Sequence, residues 1–190
     1  MRAARRTVLL RLARLPAVAA LLSPLLLVGS GCSPLQQSTP SCQSLQRLAL
    51  VAQSVPGASF VPCLGQLPAG WSVESFSVGR GHTNFALLSD RAAGRAVAVR
   101  FQASCPLPGA VPTSSRGPGI RTYIRLDSIE PRYSGTLLDQ FPGGCVTYRF
   151  DFQRGPHIPL VQDFENAVRL LSRHTLRLEL HTKLGLELDR

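Results

Sequence analysis

The chain has 190 residues, an apolar content of 44%, charged residues at 17% and a formal charge of +10. That length suits about one domain, and the balance of apolar and charged residues excludes a wholly disordered chain. The charge does not indicate a nucleic-acid partner: Arg2, Arg5, Arg6, Arg11 and Arg14 lie in an acid-free leader, and setting these five of the 21 basic residues aside leaves 16 against 11 acidic ones.

Met1 to Arg14 forms a basic start, Leu15 to Val28 is apolar apart from Pro16, Ser23 and Pro24, and Gly29, Ser30 and Gly31 precede Cys32. A basic end, a short apolar stretch and small residues before a processing point make the plan of an export signal. The apolar run is short for a spanning helix, which needs about 20 residues. Val28-Gly29-Ser30-Gly31-Cys32 resembles the lipobox of bacterial lipoproteins, with Gly29 where leucine is usual. The resemblance implies cleavage before Cys32 and a diacylglyceryl anchor on its thiol. A simple cleaved signal and an uncleaved anchor are the alternatives. Residues 1–31 are then the signal peptide, 32–41 a lipid anchor and polar, proline-punctuated tether, and 42–190 a single extracytoplasmic domain.

Gln43 to Ser54 places Leu45, Leu48 and Val51 at helical spacing, with Ser41 positioned to cap it and Pro56-Gly57 to stop it. The stretch to Gly70 reads as a loop. Trp71 to Val78 and Thr83 to Leu88 read as strands about a Gly79-Arg80-Gly81 turn. Ala96 to Phe101 alternates, with Val97, Val99 and Phe101 on one face and Arg100 on the other. Pro106 to Gly119 reads as a long loop in which Ser114-Ser115-Arg116-Gly117 is free to meet a partner. Arg121 to Leu126 alternates, Thr136 to Phe141 is a further strand, and Pro142-Gly143-Gly144 turns into Cys145 to Phe152. In that last segment Val146, Tyr148, Phe150 and Phe152 oppose Thr147, Arg149 and Asp151, as in half-buried antiparallel strands. Val161, Phe164, Val168 and Leu171 suit an amphipathic helix, expected to run on to about Lys183 before a short extended tail. Leucine alternation beyond Leu176 argues for strand, and a second helix capped by Ser172 and ending near Gly185 is the other competitor. The expected fold is α+β: an antiparallel sheet of about five or six strands with N- and C-terminal helices packed on one face.

With Cys32 assigned to lipid, Cys42, Cys63, Cys105 and Cys145 form an even set, which in an oxidising compartment favours two disulfides. Three pairings are open to spacing; Cys42–Cys63 and Cys105–Cys145 are the expected ones. No CxxC spacing or nearby histidine pair suggests zinc or redox chemistry, so no metal or cofactor is expected. VAQSVPGASFVPCLGQLPAGW (Val51 to Trp71) and FPGGCVTYRF (Phe141 to Phe150) resemble segments of an uncharacterised family of membrane-associated proteins from high-GC Gram-positive bacteria. That resemblance supports the membrane address and implies no activity.

No GxSxG, P-loop or HExxH motif is present, and no catalytic residue is nominated. His174 and His181 stand two helical turns apart, while Asp163/Glu165 and Glu187/Asp189 read as surface charge. The candidate binding residues are Arg100, Arg121, Arg125 and Arg149, which alternate away from the apolar sheet face and suit bidentate recognition of phosphate or carboxylate. Glu165, Arg169, Arg173, Arg177 and His181, four residues apart, would make a basic stripe on one helix facing anionic lipid. The expected role is a non-catalytic lipoprotein domain, membrane-bound through its anchor, that binds an envelope protein or anionic ligand. A membrane-anchored hydrolase of envelope material and a lipid carrier with an apolar cavity between sheet and helices are the alternatives.

Overall fold

A computed structural model describes residues 39–188, so the signal peptide, Cys32 and most of the tether lie outside the described residues. The elements run α1 (Leu45–Ser54), β1 (Phe60–Leu64), β2 (Trp71–Gly79), β3 (His82–Ser89), β4 (Gly94–Gln102), β5 (Val111–Thr113), β6 (Arg121–Ser128), β7 (Tyr133–Phe141), β8 (Gly144–Phe152), α2 (His157–Ala167), β9 (Val168–Ser172) and α3 (Arg173–Leu184). The fold is α+β. A seven-stranded antiparallel sheet has the order β2-β3-β4-β8-β7-β6-β5, and β1 pairs with β9 in a separate two-stranded ribbon. The sheet is therefore larger than the five or six strands expected from periodicity.

The differences have local causes. Proline within FVPCL argues against a strand, but in a two-stranded ribbon each strand has a free edge, where a missing N–H is harmless. β5 is a three-residue, fully exposed edge strand inside the proline-rich stretch expected to be loop. At the C-terminal end the single long helix is broken: α2 stops at Ala167, β9 takes Val168–Ser172, and α3 starts afresh. Val168 and Leu171 match a helical period, yet β1 offers VRLLS a hydrogen-bonding edge, and that partner decides the outcome. The competing second helix is the one observed, with Ser172 Oγ accepting from the Thr175 N–H at 3.0 Å and Gly185 closing it in the left-handed region. α1 begins at Leu45, two residues late; Ser44 is its N-cap, and Ser41 accepts from the Gln43 N–H instead.

Alternation sets the core. Phe85, Leu87, Val97, Val99, Phe101, Val146, Tyr148 and Phe150 face one side of the sheet and form one buried cluster with Leu48 and Val51 of α1, Leu160 and Phe164 of α2, and Leu176 and Leu180 of α3. The β7–β8 hairpin turns on Pro142-Gly143, with Gly143 at φ +73°. A Cβ at Gly143 would also stand 1.7 Å from the Gly57 carbonyl oxygen, so both conformation and close approach demand glycine there.

Both expected disulfides form. Cys42–Cys63 ties the segment before α1 to β1, and Cys105–Cys145 ties the segment after β4 to β8. No described helix is long and apolar enough to cross a membrane.

Candidate functional site

The site lies on the sheet face opposite the helices, and topology creates it. β4 is bonded to β8, but the next strand in sequence, β5, sits at the far edge beyond β8, β7 and β6. The chain from Ala103 to Ala110 must therefore cross the sheet. It crosses on the outward face, because Cys105 bonds to Cys145, whose neighbour Val146 points into the core. Cys105 and Cys145 pack with Leu138, Tyr123 and Leu107 in a small second apolar cluster under this strap. Arg125 pins the far end, donating to the Pro108 carbonyl at 3.4 Å and to Asp127 at 3.0 Å.

Beside the strap runs a groove of about 530 Å³ lined by Ser75, Asn84, Ala86, Ala98, Thr136 and Thr147 and flanked by Pro106, Leu107 and four arginines: Arg95, Arg100, Arg125 and Arg149. Register shows how they meet. One outward row runs Ser75, Ala86, Ala98, Arg149, Thr136, Arg125 across β2, β3, β4, β8, β7 and β6. The next row places Arg100 between Asn84 and Thr147. Arg100 and Arg149 are thus diagonal neighbours on adjacent strands, about 7–8 Å apart at the backbone. Among the described residues, no carboxylate lines the groove. Arg95 pairs with Glu74 and Arg125 with Asp127, whereas Arg100 and Arg149 make no ion pair or side-chain hydrogen bond among the described residues.

Three of the four arginines named from sequence therefore converge. Arg121 does not: it lies on the same face but four residues along β6 from Arg125, about 13 Å away at strand spacing, beside Gln140 and Pro142. Arg95 joins them at the rim because a bulge between Leu87 and Leu88 shifts the pairing there, which strand alternation does not reveal. Ser75, Asn84, Thr136 and Thr147 carry no signal in sequence; only strand order assembles them.

Glu165, Arg169, Arg173, Arg177 and His181 do not form a stripe on one helix, because they are divided among α2, β9 and α3. Arg169 sits on β9, outside any helix. Arg173 is buried and donates to the carbonyls of Ala52 (2.5 Å), Val55 (2.9 Å) and Ala58 (2.8 Å), satisfying acceptors at and beyond the C-terminal end of α1. Burial, then Arg177, lower its pKa. What remains on α3 is Arg177 and His181, both exposed.

The Ser114–Gly117 segment also serves the interior. Ser115 donates to the Ile120 carbonyl at 2.6 Å. Arg116 turns inward to Asp139 (2.8 Å) and donates to the carbonyls of Glu165 and Val168, each at 2.5 Å, at the α2–β9 junction. Asp139, fully buried on the core side of β7, also accepts from Thr122 (2.8 Å) and Tyr148 (2.9 Å). Burial opposes the charge of Arg116, but Tyr148, Asp139 and Glu165 outweigh it and hold the guanidinium above its usual pKa. Burial, with Asp139 beside it, pushes the Tyr148 phenol well above its usual range, so it remains a donor. This network pins the loop to the helix layer.

The other titratable groups are dispersed. His82 begins β3, His157 stacks on Tyr133 at 5.0 Å, and His174 and His181 are exposed on α3. Asp163 binds Trp71 and Arg91, while Glu165 lies near Arg116; Asp189 lies outside the described residues. No group of three or more His, Cys, Asp or Glu suited to a metal occurs among the described residues.

No family model, curated protein or solved structure matches the chain.

Proposed function

We propose that this chain is a membrane-tethered, extracytoplasmic lipoprotein whose domain is a non-catalytic binding module for an anionic component of the cell envelope. The observation that carries the reading is the pair Arg100 and Arg149: adjacent, exposed guanidiniums without acidic partners among the described residues, over a groove that no carboxylate lines. Like charges held this close repel, and a bound anion relieves that repulsion while accepting their hydrogen bonds. The address rests on the leader and Cys32. The two disulfides fit an oxidising compartment.

Thermal unfolding of the full-length protein, titrated with inorganic phosphate at constant ionic strength, tests the binding. Phosphate should raise Tm by mass action in the parent and in Arg177→Glu, altered on the exposed side of α3 across the sheet from the groove, but not in Arg100→Glu/Arg149→Glu. An equal rise in all three would refute the site. For the address, a labelled fatty acid should enter the parent chain and not Cys32→Ser; equal labelling would overturn the anchor.

A further inference from the structure

We infer that the groove takes an amphiphilic phosphate, a phosphate group bearing a hydrocarbon tail, with the phosphate between Arg100 and Arg149 and the tail along the adjoining alanine shelf. This deepens the proposed anion site and rests on it.

The head group follows from the number and placement of donors. A carboxylate brings one negative charge to two guanidiniums and leaves the pair with a net positive charge. A phosphate ester offers several oxygens in tetrahedral array and up to about two negative charges, so both arginines can bind it at once. Thr136 lies opposite Arg149 and has a hydroxyl to offer a further oxygen, while the Thr147 hydroxyl, opposite Arg100, donates to the Arg100 carbonyl at 3.5 Å.

The tail follows from the floor. An outward face of an antiparallel sheet ordinarily carries polar side chains in contact with water. Here Ala86 and Ala98 face each other across β3 and β4, next in the row to Arg149. Ala86 is only 5% exposed although the face carries no helix, so the shelf is recessed between walls. Pro106 and Leu107 of the strap furnish apolar wall, and the disulfide holds them there. The result is a short apolar channel with a cationic mouth, the pattern of an amphiphile rather than of a free ion. Each methylene it fully buries tightens binding about fourfold, so two are enough for a tenfold preference over the bare ion.

Isothermal titration of the full-length protein compares inorganic phosphate, n-octyl phosphate and n-octanol. The expected result is n-octyl phosphate binding at least tenfold more tightly than phosphate or octanol. Leu107→Asn should erase most of that advantage while leaving phosphate affinity within about twofold, and Arg149→Glu should weaken both anions. Equal affinity for phosphate and n-octyl phosphate overturns the amphiphile and leaves the anion site standing. Octanol binding as tightly as n-octyl phosphate overturns it too, since the arginines then contribute nothing. Failure of both anions to bind removes this inference together with the anion site beneath it.

Discussion

Replacing Asp139 by Asn keeps the shape of the side chain and removes its charge. In the folded protein one carboxylate oxygen accepts from Thr122, and the other from both Arg116 and Tyr148. The amide retains a single acceptor oxygen. Turned with its oxygen to Arg116 and Tyr148, it sets an NH2 group against the Thr122 hydroxyl, which must reverse from donor to acceptor, and Arg116 loses its counter-charge. Breaking a buried ion pair from one side costs about 3–5 kcal/mol. Arg116 moderates this, because its side chain is 16% exposed and it retains the Glu165 and Val168 carbonyls. The expected loss is about 2–4 kcal/mol, the upper part of the range for a lost hydrogen bond to a charged group and the lower part for a buried pair. For a domain of this size that corresponds to roughly 5–15 °C in Tm. Urea unfolding of the full-length protein measures the change, and hydrogen exchange locates it: amides of 114–120 should lose protection first, since Arg116 anchors that loop. Arg116→Gln should cost a similar amount, and the double variant should cost less than the sum, with a coupling of about 1–3 kcal/mol. A loss below about 0.5 kcal/mol for Asp139→Asn, or strict additivity, would show that the network does not hold the loop to the helix layer.

Removing the strap disulfide as Cys105→Ser/Cys145→Ser opens a loop with a sequence separation of 40 and should cost about 4 kcal/mol by chain entropy. Circular dichroism should still report a folded sheet, while n-octyl phosphate loses its advantage over inorganic phosphate; an undiminished advantage would free the groove from its dependence on the strap. Arg173→Met removes the guanidinium from three carbonyls at and beyond the end of α1, of which those of Ala52 and Val55 keep backbone donors, and should lower stability by about 1–3 kcal/mol, read by urea unfolding, whereas Arg177→Met should be near neutral. Burial holds the Glu165 carboxyl above its usual range, against the pull of Arg116, and Asp139 adds to the rise. A raised folded-state pKa gives stability at low pH that is lost as pH rises through that value, so the ionised form is a cost near neutrality. Glu165→Gln should therefore raise Tm modestly at about pH 7 and match the parent at about pH 4; the opposite trend across a pH series would mean that attraction to Arg116 dominates.

Residue order alone determined the parts of this protein that depend on neighbours within a few positions. Alternation in Ala96 to Phe101 and in Cys145 to Phe152 assigns both faces of the central strands, because successive side chains point to opposite sides whatever the strand pairs with. Glycine and proline at Gly79-Arg80-Gly81 and Pro142-Gly143 mark the hairpins, because backbone conformation there is intrinsic to the residues. The even cysteine set after Cys32 announced two disulfides. Arg100, Arg125 and Arg149 were legible as outward-facing for the same reason of period two. Other features needed tertiary structure. FVPCL and VRLLS become strands only because each supplies the other's edge, more than a hundred residues away in sequence. Arg173, which belongs to a basic stripe by spacing, is buried with its guanidinium on three carbonyls at and beyond the end of α1. Arg116 lies in a segment that looks like a free loop and reaches a carboxylate 23 residues away. The groove itself arises from strand order: inserting β8, β7 and β6 between β4 and β5 forces the strap across the sheet, and register sets Arg100 beside Arg149. Sequence periodicity tells which way a side chain points, and only the pairing of distant strands tells what stands next to it.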